Sequence, residues 1–156
     1  MKSVSITFTL NGRVLDREIP SNQILADFIR EKENLLGTKV SCDQSVCGAC
    51  TVLVDGEPWS ACAAFTFEVD KRDVLTLEGL ADGNILSAVQ EAFLTHSAFQ
   101  CGYCTPGMIM LATSLLKQDP NPDEKKIRSW MGANICRCTG YQMIIEAVQT
   151  LAGKNI

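Results

Sequence analysis

All eight cysteines of this 156-residue chain fall into two groups of four, and cysteine thiolates are metal ligands. The first group has the spacing C-x4-C-x2-C with a fourth cysteine further on, and consists of Cys42, Cys47, Cys50 and Cys62. This is the plant-type spacing of a [2Fe–2S] cluster. The second group joins C-x2-C to C-x-C, and consists of Cys101, Cys104, Cys136 and Cys138. Because no cysteine is left over, the pattern predicts two clusters and electron transfer.

Disulfides and zinc are the two other uses that eight cysteines could serve. The N-terminus, Met1 to Val4, lacks the apolar core of a signal peptide, so we expect a cytoplasmic protein, in which disulfides are rare. Zinc modules usually repeat C-x2-4-C pairs, whereas the first group places three cysteines on one tight loop, which suits a cluster. The chain has a single histidine, His96, and a Rieske centre needs two. Iron–sulfur ligation is therefore favoured, with zinc as the alternative.

The composition is that of an acidic globular protein. Its formal charge of −4 is unsuited to nucleic acid, because phosphate binding needs basic side chains. No run approaches 18 apolar residues, so no membrane span is expected. The sequence shows no nucleophile motif, carboxylate pair or dinucleotide-binding glycine motif. We therefore expect no catalytic residue and no substrate chemistry in this chain itself.

The first half of the chain has the pattern of strands around a cysteine loop. Residues 4–10 alternate apolar and polar side chains, and Asn11-Gly12 predicts a hairpin into a second strand over 14–19. A helix is expected next, with Ser21 as its N-cap. The loop over 37–50 then carries three cysteines. Further strands are predicted at 51–54, 59–62 and 74–77.

The second half has a helical pattern, after a glycine- and acid-containing boundary at residues 78–84. Helices are predicted over 85–94, from Thr105 as N-cap, over 123–131, and after Thr139-Gly140. Four helices of similar length suggest a small bundle. The second and fourth would begin just after Cys104 and Cys138, where unpaired N–H groups and positive dipole ends would face electron-rich sulfur.

Three stretches of the sequence resemble the cluster motifs of the molybdenum hydroxylases, the xanthine oxidase family. Residues 37–52, with Cys-Gly-Ala-Cys at 47–50, are similar to the first cluster loop. Residues 100–108 are similar to the second cluster motif, and residues 135–141 to its completion. The resemblance covers essentially the whole chain, in the family's order and spacing.

The resemblance implies an α+β fold with two domains. Residues 1–78 would form a ferredoxin-like β-grasp domain and residues 79–156 an all-α four-helix bundle, each binding one [2Fe–2S] cluster through its four cysteines. Gln100 and Cys138 match positions that approach the pterin in relatives, so cofactor contacts are expected there. Gly48 and Gly102 lie between ligands, where the backbone must come close to a cluster or adopt positive φ.

The resemblance also implies partner subunits, because this chain has no room for molybdenum or flavin domains. These would be a large subunit with molybdopterin, in a dinucleotide form, and a medium subunit with FAD, in a heterotrimer or a dimer of heterotrimers. The chain would be the iron–sulfur subunit of a molybdopterin-dependent oxidoreductase, relaying single electrons from the molybdopterin centre to FAD. The holoenzyme would oxidise an N-heteroaromatic, an aldehyde or carbon monoxide with oxygen from water. The alternative is a free-standing ferredoxin-like electron carrier.

Four positions depart from the family pattern. The family often has glycine where this chain has Ser41 and Ser45, an acid in place of Val46, and glycine in place of Ala133. A serine hydroxyl can donate a hydrogen bond toward sulfur. Since every cysteine is present, we expect these changes to alter the cluster potential and to leave ligation intact.

Overall fold

A computed structural model describes residues 2–154, and the first half of that range forms a five-stranded mixed sheet. The strands are β1 Ser3–Leu10, β2 Arg13–Pro20, β3 Thr51–Val54, β4 Glu57–Ser60 and β5 Asp73–Leu75. Their order in the sheet is β2-β1-β5-β3-β4, with β1 and β5 parallel and every other neighbouring pair antiparallel. The predicted strands all exist, and the last two are displaced by one or two residues.

The hairpin of β1 and β2 follows directly from the sequence. Its alternating apolar side chains Ile6, Phe8 and Leu10 are buried, as a half-buried strand requires. Leu10 pairs with Arg13, so the loop has two residues, Asn11 and Gly12, both with positive φ. Such a loop matches the twist of the flanking strands, which confirms the predicted hairpin.

The first helix begins later than predicted. Ser21 lies in a turn closed by Gln23 N–H donating to Pro20 O, and Ile24 pairs with Phe65 in an isolated β-bridge. Helix α1, Leu25–Asp27, therefore starts after that bridge and continues as a π-helical turn over Phe28–Lys32. A tertiary contact thus overrides the N-cap propensity of Ser21.

The second half contains four helices around one core. They are α2 Ala88–Thr95, α3 Thr105–Gln118, α4 Glu124–Met131 and α5 Gln142–Gln149. Helix α4 begins one residue later than the predicted residue 123, because Asp123 is its N-cap and accepts a hydrogen bond from Lys126 N–H at 2.7 Å. Helix α2 starts at Ala88 rather than residue 85, because Ser87 and Gln90 form a capping box. Within the part of the chain that the structure describes, no helix is long and apolar enough to cross a membrane.

The sheet and the helices have separate hydrophobic cores that meet along α3. One core lies between the sheet and α1, and the other among the four helices. Helix α3 packs against β3 and β4, and its Ser114 hydroxyl donates to Gly56 O at 3.0 Å. The cysteine loops lie where these two halves meet.

Candidate metal centres

The first cysteine group lies on the loop before β3 and on the 3-10 turn after β4. Three of the four backbone amides over residues 44–47 converge on Cys42 Sγ: those of Gln44, Val46 and Cys47 each donate to it at 3.4 Å. The exception, Ser45 N–H, donates to Cys62 Sγ at 3.4 Å. Backbone amides gathered in this way form a concave site for negative charge, as metal-bound thiolates require.

The loop conformation that gathers these amides departs from ordinary backbone geometry. Asp43 has φ of 56° and Ser45 has φ of 57°, both in the left-handed region. Non-glycine residues pay about 1–2 kcal/mol there. Ser45 is one of the positions at which the resemblance implies glycine, and a glycine there would adopt this backbone conformation without strain.

Hydrogen bonding and burial shift the pKa values of two cysteines of the first group in opposite directions. The amide of Gln44, followed by those of Val46 and Cys47, lowers the pKa of Cys42 to about 6. Burial raises the pKa of Cys50 to about 12. Cys42 is therefore a thiolate at neutral pH without a metal, whereas Cys50 would ionise only on coordination, which deprotonates a thiol.

The second cysteine group surrounds a cavity of about 210 Å³. Its four sulfur-bearing residues Cys101, Cys104, Cys136 and Cys138 all line the cavity. The sulfurs of Cys101 and Cys138 are 3.7 Å apart. Two thiolates bound to one tetrahedral ion at about 2.3 Å lie about 3.8 Å apart, so this pair has the spacing of a metal-bound pair.

Hydrogen bonds and burial also differ within the second group. Burial raises the pKa of Cys104 to about 12. Burial acts in the same direction on Cys136, but hydrogen bonds from the hydroxyl and amide of Thr139 outweigh it and hold its pKa below the ordinary value. The hydrogen bond shared with Cys101 raises the pKa of Cys138.

The eight sulfurs approach one another in pairs. Among residues 2–154, no three histidine, cysteine or acidic side chains close around a single metal ion. Instead, the sulfurs of Cys101 and Cys138 lie 3.7 Å apart, and a thiol hydrogen bond contributes to the pKa of Cys42 from Cys47, of Cys50 from Cys62 and of Cys104 from Cys136. A [2Fe–2S] cluster takes two cysteines on each iron, whereas structural zinc gathers four ligands on one ion. The donor set therefore fits [2Fe–2S] clusters better than zinc.

The two glycines predicted from their place between cysteines have the conformation that only glycine adopts freely. Gly48 has φ of +70° and Gly102 has φ of +81°. A Cβ at Gly48 would lie 2.9 Å from Ala133 O and from Asn134 Cγ, whereas none of the described atoms comes within 4 Å of a Cβ at Gly102. Gly48 thus serves close packing between the halves, and Gly102 only the turn.

The expectation that both ligand pairs of the second group directly precede a helix is right for one pair. Cys104 is the N-cap of α3, one residue before the predicted Thr105. Helix α5, however, begins at Gln142, after a turn in which Gly140 and Tyr141 both have positive φ. That turn brings the Tyr141 hydroxyl back to Cys136, whose amide donates to it at 2.9 Å.

Other residues of the site were not identified from the sequence. Tyr141 also donates from its hydroxyl to Asn134 O at 3.0 Å, and the only sequence signal for this bend is Gly140. The amide of Ile135 donates to Cys47 O at 2.8 Å, which brings the two cysteine groups within one backbone hydrogen bond of each other. Nothing in the local sequence indicates that contact.

The remaining predicted site residues lie at the surface. Gln100, Cys101 and Cys138 are exposed together at one edge of the second group. Beside them is an apolar cavity of about 320 Å³, whose lining includes Leu86, Leu94, Phe99 and Gly102. An exposed edge of this kind is open to a partner, and the pterin contact of Gln100 and Cys138 stays a prediction.

Comparisons with known proteins point to the same chemistry. A family model described as a 2Fe-2S iron-sulfur cluster binding domain matches residues 8–81. A second model, described as a [2Fe-2S] binding domain, matches residues 76–149. Together the two models cover both cysteine groups.

Similar proteins match over nearly their whole length. The nicotine 6-hydroxylase small subunit of Paenarthrobacter nicotinovorans is 42% identical over 151 residues, covering 97% of this chain and 91% of that protein. The xanthine dehydrogenase iron-sulfur-binding subunit of Escherichia coli O157:H7 is 40% identical over 152 residues, covering 94% and 93%. The crystal structure of quinoline 2-oxidoreductase from Pseudomonas putida 86 matches with a TM-score of 0.92 and 40% identity, covering 97% of this chain and 94% of that chain.

Proposed function

The chain belongs to the iron–sulfur subunits of the xanthine dehydrogenase family of molybdenum hydroxylases, and from this premise we propose how it transfers electrons. It relays single electrons from the molybdopterin centre of a large subunit to FAD on a medium subunit. When bound, the two [2Fe–2S] clusters supply the one-electron redox steps. The observation that carries the proposal is that all four cysteines of the second group line one cavity together with Cys47 of the first, and that the sulfurs of Cys101 and Cys138 lie 3.7 Å apart.

The eight cysteines are the proposed ligands, and the surrounding backbone stabilises their thiolates. The first cluster is held by Cys42, Cys47, Cys50 and Cys62, and the second by Cys101, Cys104, Cys136 and Cys138. Amides 44–47 donate to sulfur in the first group, and Thr139 does so in the second. Such hydrogen bonds favour the charged form of a ligand and tune a cluster's potential.

The chain divides into a β-grasp domain over 1–78 and a four-helix bundle over 79–156. Two observations support this division: the sheet and the four helices have separate cores, and the two family models meet at residues 76–81. Each domain would then provide one cluster.

The two clusters face different partners. Gln100, Cys101 and Cys138 are exposed at one edge, which supports a pterin contact of Gln100 and Cys138. The loop of the first group is also exposed, and Val46 within it has 63% of its surface accessible. We assign this loop to the side that faces FAD.

Exposed apolar side chains support an assembly with both partners, as a heterotrimer or a dimer of heterotrimers in the cytoplasm. One patch surrounds the cavity that contains Leu86, Leu94 and Phe99, next to the second group. Another is the stacked pair Phe65 and Phe67, whose rings lie 5.4 Å apart. Contiguous exposed apolar surface marks protein interfaces.

The substrate of the holoenzyme is an N-heteroaromatic compound. The names of the three relatives refer to nicotine, xanthine and quinoline, which all belong to this class. A large subunit with molybdopterin in a dinucleotide form would hydroxylate a ring carbon with oxygen from water and release two electrons and two protons. Aldehydes and carbon monoxide are the other substrates to test.

The test uses the complex purified under anaerobic conditions through a tag on this chain. Addition of xanthine, nicotinate, quinoline, benzaldehyde or carbon monoxide, one at a time without an acceptor, should bleach the red-brown absorbance with one of them. A Cys104→Ser complex should lose the electron delivery to FAD. A chain that purifies alone, loaded with iron and reducible only by dithionite, would instead support the free-standing carrier.

A further inference from the structure

The loop of the first cysteine group is held by residues of the second group's motifs. We call these contacts the seam. On the loop side the seam consists of Val40, Cys47 and Gly48, and on the helical side of Tyr103, Asn134 and Ile135. The loop-side residues flank or include ligands of the first group, and the helical-side residues lie beside ligands of the second.

Tyr103 makes the first contact of the seam. It lies between Cys101 and Cys104, yet its hydroxyl donates a hydrogen bond to Val40 O, two residues before Cys42. The side chain reaches across 63 positions of sequence to do so. A residue of the second motif thus fixes the entry of the first loop.

Ile135 and Asn134 make the other two contacts. The Ile135 amide donates to Cys47 O at 2.8 Å, which fixes a ligand of the first group directly. Asn134 is fully buried and packs against the backbone at Gly48. Among the described residues its side-chain nitrogen and oxygen have no hydrogen-bond partner, so its place is set by packing.

The N-terminal half anchors a different part of the loop. Glu78 accepts from Gly37 N–H at 2.7 Å, and Arg30 donates to Thr38 O at 2.7 Å. These two hydrogen bonds hold residues that precede Val40, where the seam begins. The ligand-bearing stretch, 40–48, has three left-handed residues. Val40 also packs against the sheet core and Ser45 N–H donates to Cys62 Sγ, so the seam adds to the contacts that the N-terminal half makes with this stretch.

We propose that Tyr103 is a positioning residue for the first cysteine group, so that retention of the first cluster depends on the helical half of the chain. This inference rests on the proposed function, because it takes the two cysteine groups as cluster ligands. Loss of the Tyr103 hydroxyl frees the entry of the first loop and leaves the ligands of the second group in place.

The chain offers a matched control, because it has two tyrosines. Tyr141 donates to Asn134 O at 3.0 Å and accepts from Cys136 N–H at 2.9 Å, so its hydroxyl serves the second motif. Tyr103→Phe and Tyr141→Phe remove the same atom, but the first variant loses a hydrogen bond to the first loop and the second loses hydrogen bonds within the second motif. Each variant keeps its aromatic ring, and therefore its packing.

The experiment compares the full-length variants with the unaltered chain, all purified anaerobically with their clusters. The two electron paramagnetic resonance signals are assigned with Cys42→Ser and Cys101→Ser variants. Tyr103→Phe should lose iron from the first group to EDTA about two- to tenfold faster, the factor for one hydrogen bond. Tyr141→Phe should instead speed the loss of iron from the second group, and so weaken the second group's signal before the first.

A second measurement reports on the loop itself and does not depend on the release of iron. Amide hydrogen exchange over residues 40–48 should be faster in Tyr103→Phe, with exchange in α4 and α5 unchanged. The inference would be overturned if the unaltered chain shows two signals but Tyr103→Phe loses first-group iron, and exchanges its loop amides, at the same rates as the unaltered chain. Absence of two signals in the unaltered chain would overturn the proposed function instead.

Discussion

Cys42 and Cys50 show at the residue scale how one short loop gives two cysteines opposite properties. Amide donors lower the pKa of Cys42 to about 6, and burial raises that of Cys50 to about 12. An ordinary cysteine thiol has a pKa of about 8.5. The spacing of the cysteines predicts ligation, but it does not predict which thiol is ionised. Ionisation of Cys42 depends on backbone amides that left-handed residues bring together, and the spacing does not reveal that backbone conformation.

This difference predicts the order of alkylation in the metal-free chain. The thiolate is the nucleophile, so modification of Cys42 by iodoacetamide should rise through pH 6 and level off above about pH 7. Cys50 and Cys104, with pKa values of about 12, should stay unmodified over that range. Peptide mass spectrometry across pH 5–9 measures this, and a Cys42 rate that still climbs steeply between pH 7 and 9 would contradict it.

Gly48 and Gly102 form a second matched pair at the residue scale. Alanine at either position would destabilise the fold by about 1–2 kcal/mol, because its backbone would have to be left-handed. At Gly48 the new Cβ would also lie 2.9 Å from the carbonyl oxygen of Ala133, whereas Gly102 faces open space. Gly48→Ala should therefore unfold at a lower temperature than Gly102→Ala in thermal melts of the loaded protein. Equal melting temperatures would mean that the seam tolerates a methyl group.

Among the elements, local sequence predicts β1, β2 and α4 well, and it places the starts of α1, α2 and α5 too early. The successful elements are fixed by neighbours in sequence: an Asn-Gly turn and an aspartate N-cap. The start of α1 is instead fixed by the bridge from Ile24 to Phe65, and the start of α5 by the return of Tyr141 to Cys136. These contacts form only in the folded chain, so propensity cannot anticipate them.

In helix α3, a glycine-to-alanine substitution should lower the stability of the protein, which is the opposite of its usual effect in a helix. Glycine to alanine inside a helix commonly stabilises by about 0.5–1 kcal/mol. At Gly107, however, the Cβ would lie 2.4 Å from both Asn134 Nδ2 and Gly48 O, and overpacking costs about 1–3 kcal/mol. Gly107→Ala should lower the melting temperature, and Asn134→Ala in the same chain should restore part of the loss. A more stable Gly107→Ala protein would disprove the packing argument.

At the scale of the whole molecule, the sequence motifs predict the two cysteine groups but not how they meet. The contacts from Tyr103 to Val40 and from Ile135 to Cys47 join residues 63 and 88 positions apart. No local pattern encodes such distances. The apolar surface beside the second group is likewise visible only once α2 and α3 are placed together.

That surface predicts where the large subunit binds. Leu94 has 54% of its surface exposed beside the apolar cavity, and Val14 on β2 has 65% exposed. Leu94→Lys should reduce recovery of the large subunit with this chain, because burying an unpaired charge at an interface is costly. Val14→Lys, an equal change at an exposed position outside that cavity, should leave recovery unchanged. Pull-down with quantified subunit ratios measures both, and equal recovery in the two variants would remove this surface from the interface.

The central claim is that the eight cysteines hold two [2Fe–2S] clusters. The measurement that tests it most directly is electron paramagnetic resonance, with spin integration, on the anaerobically purified and dithionite-reduced protein. We expect two distinguishable [2Fe–2S] signals that together integrate to about two spins per chain. A single signal, or none with zinc present in the metal analysis, would contradict it.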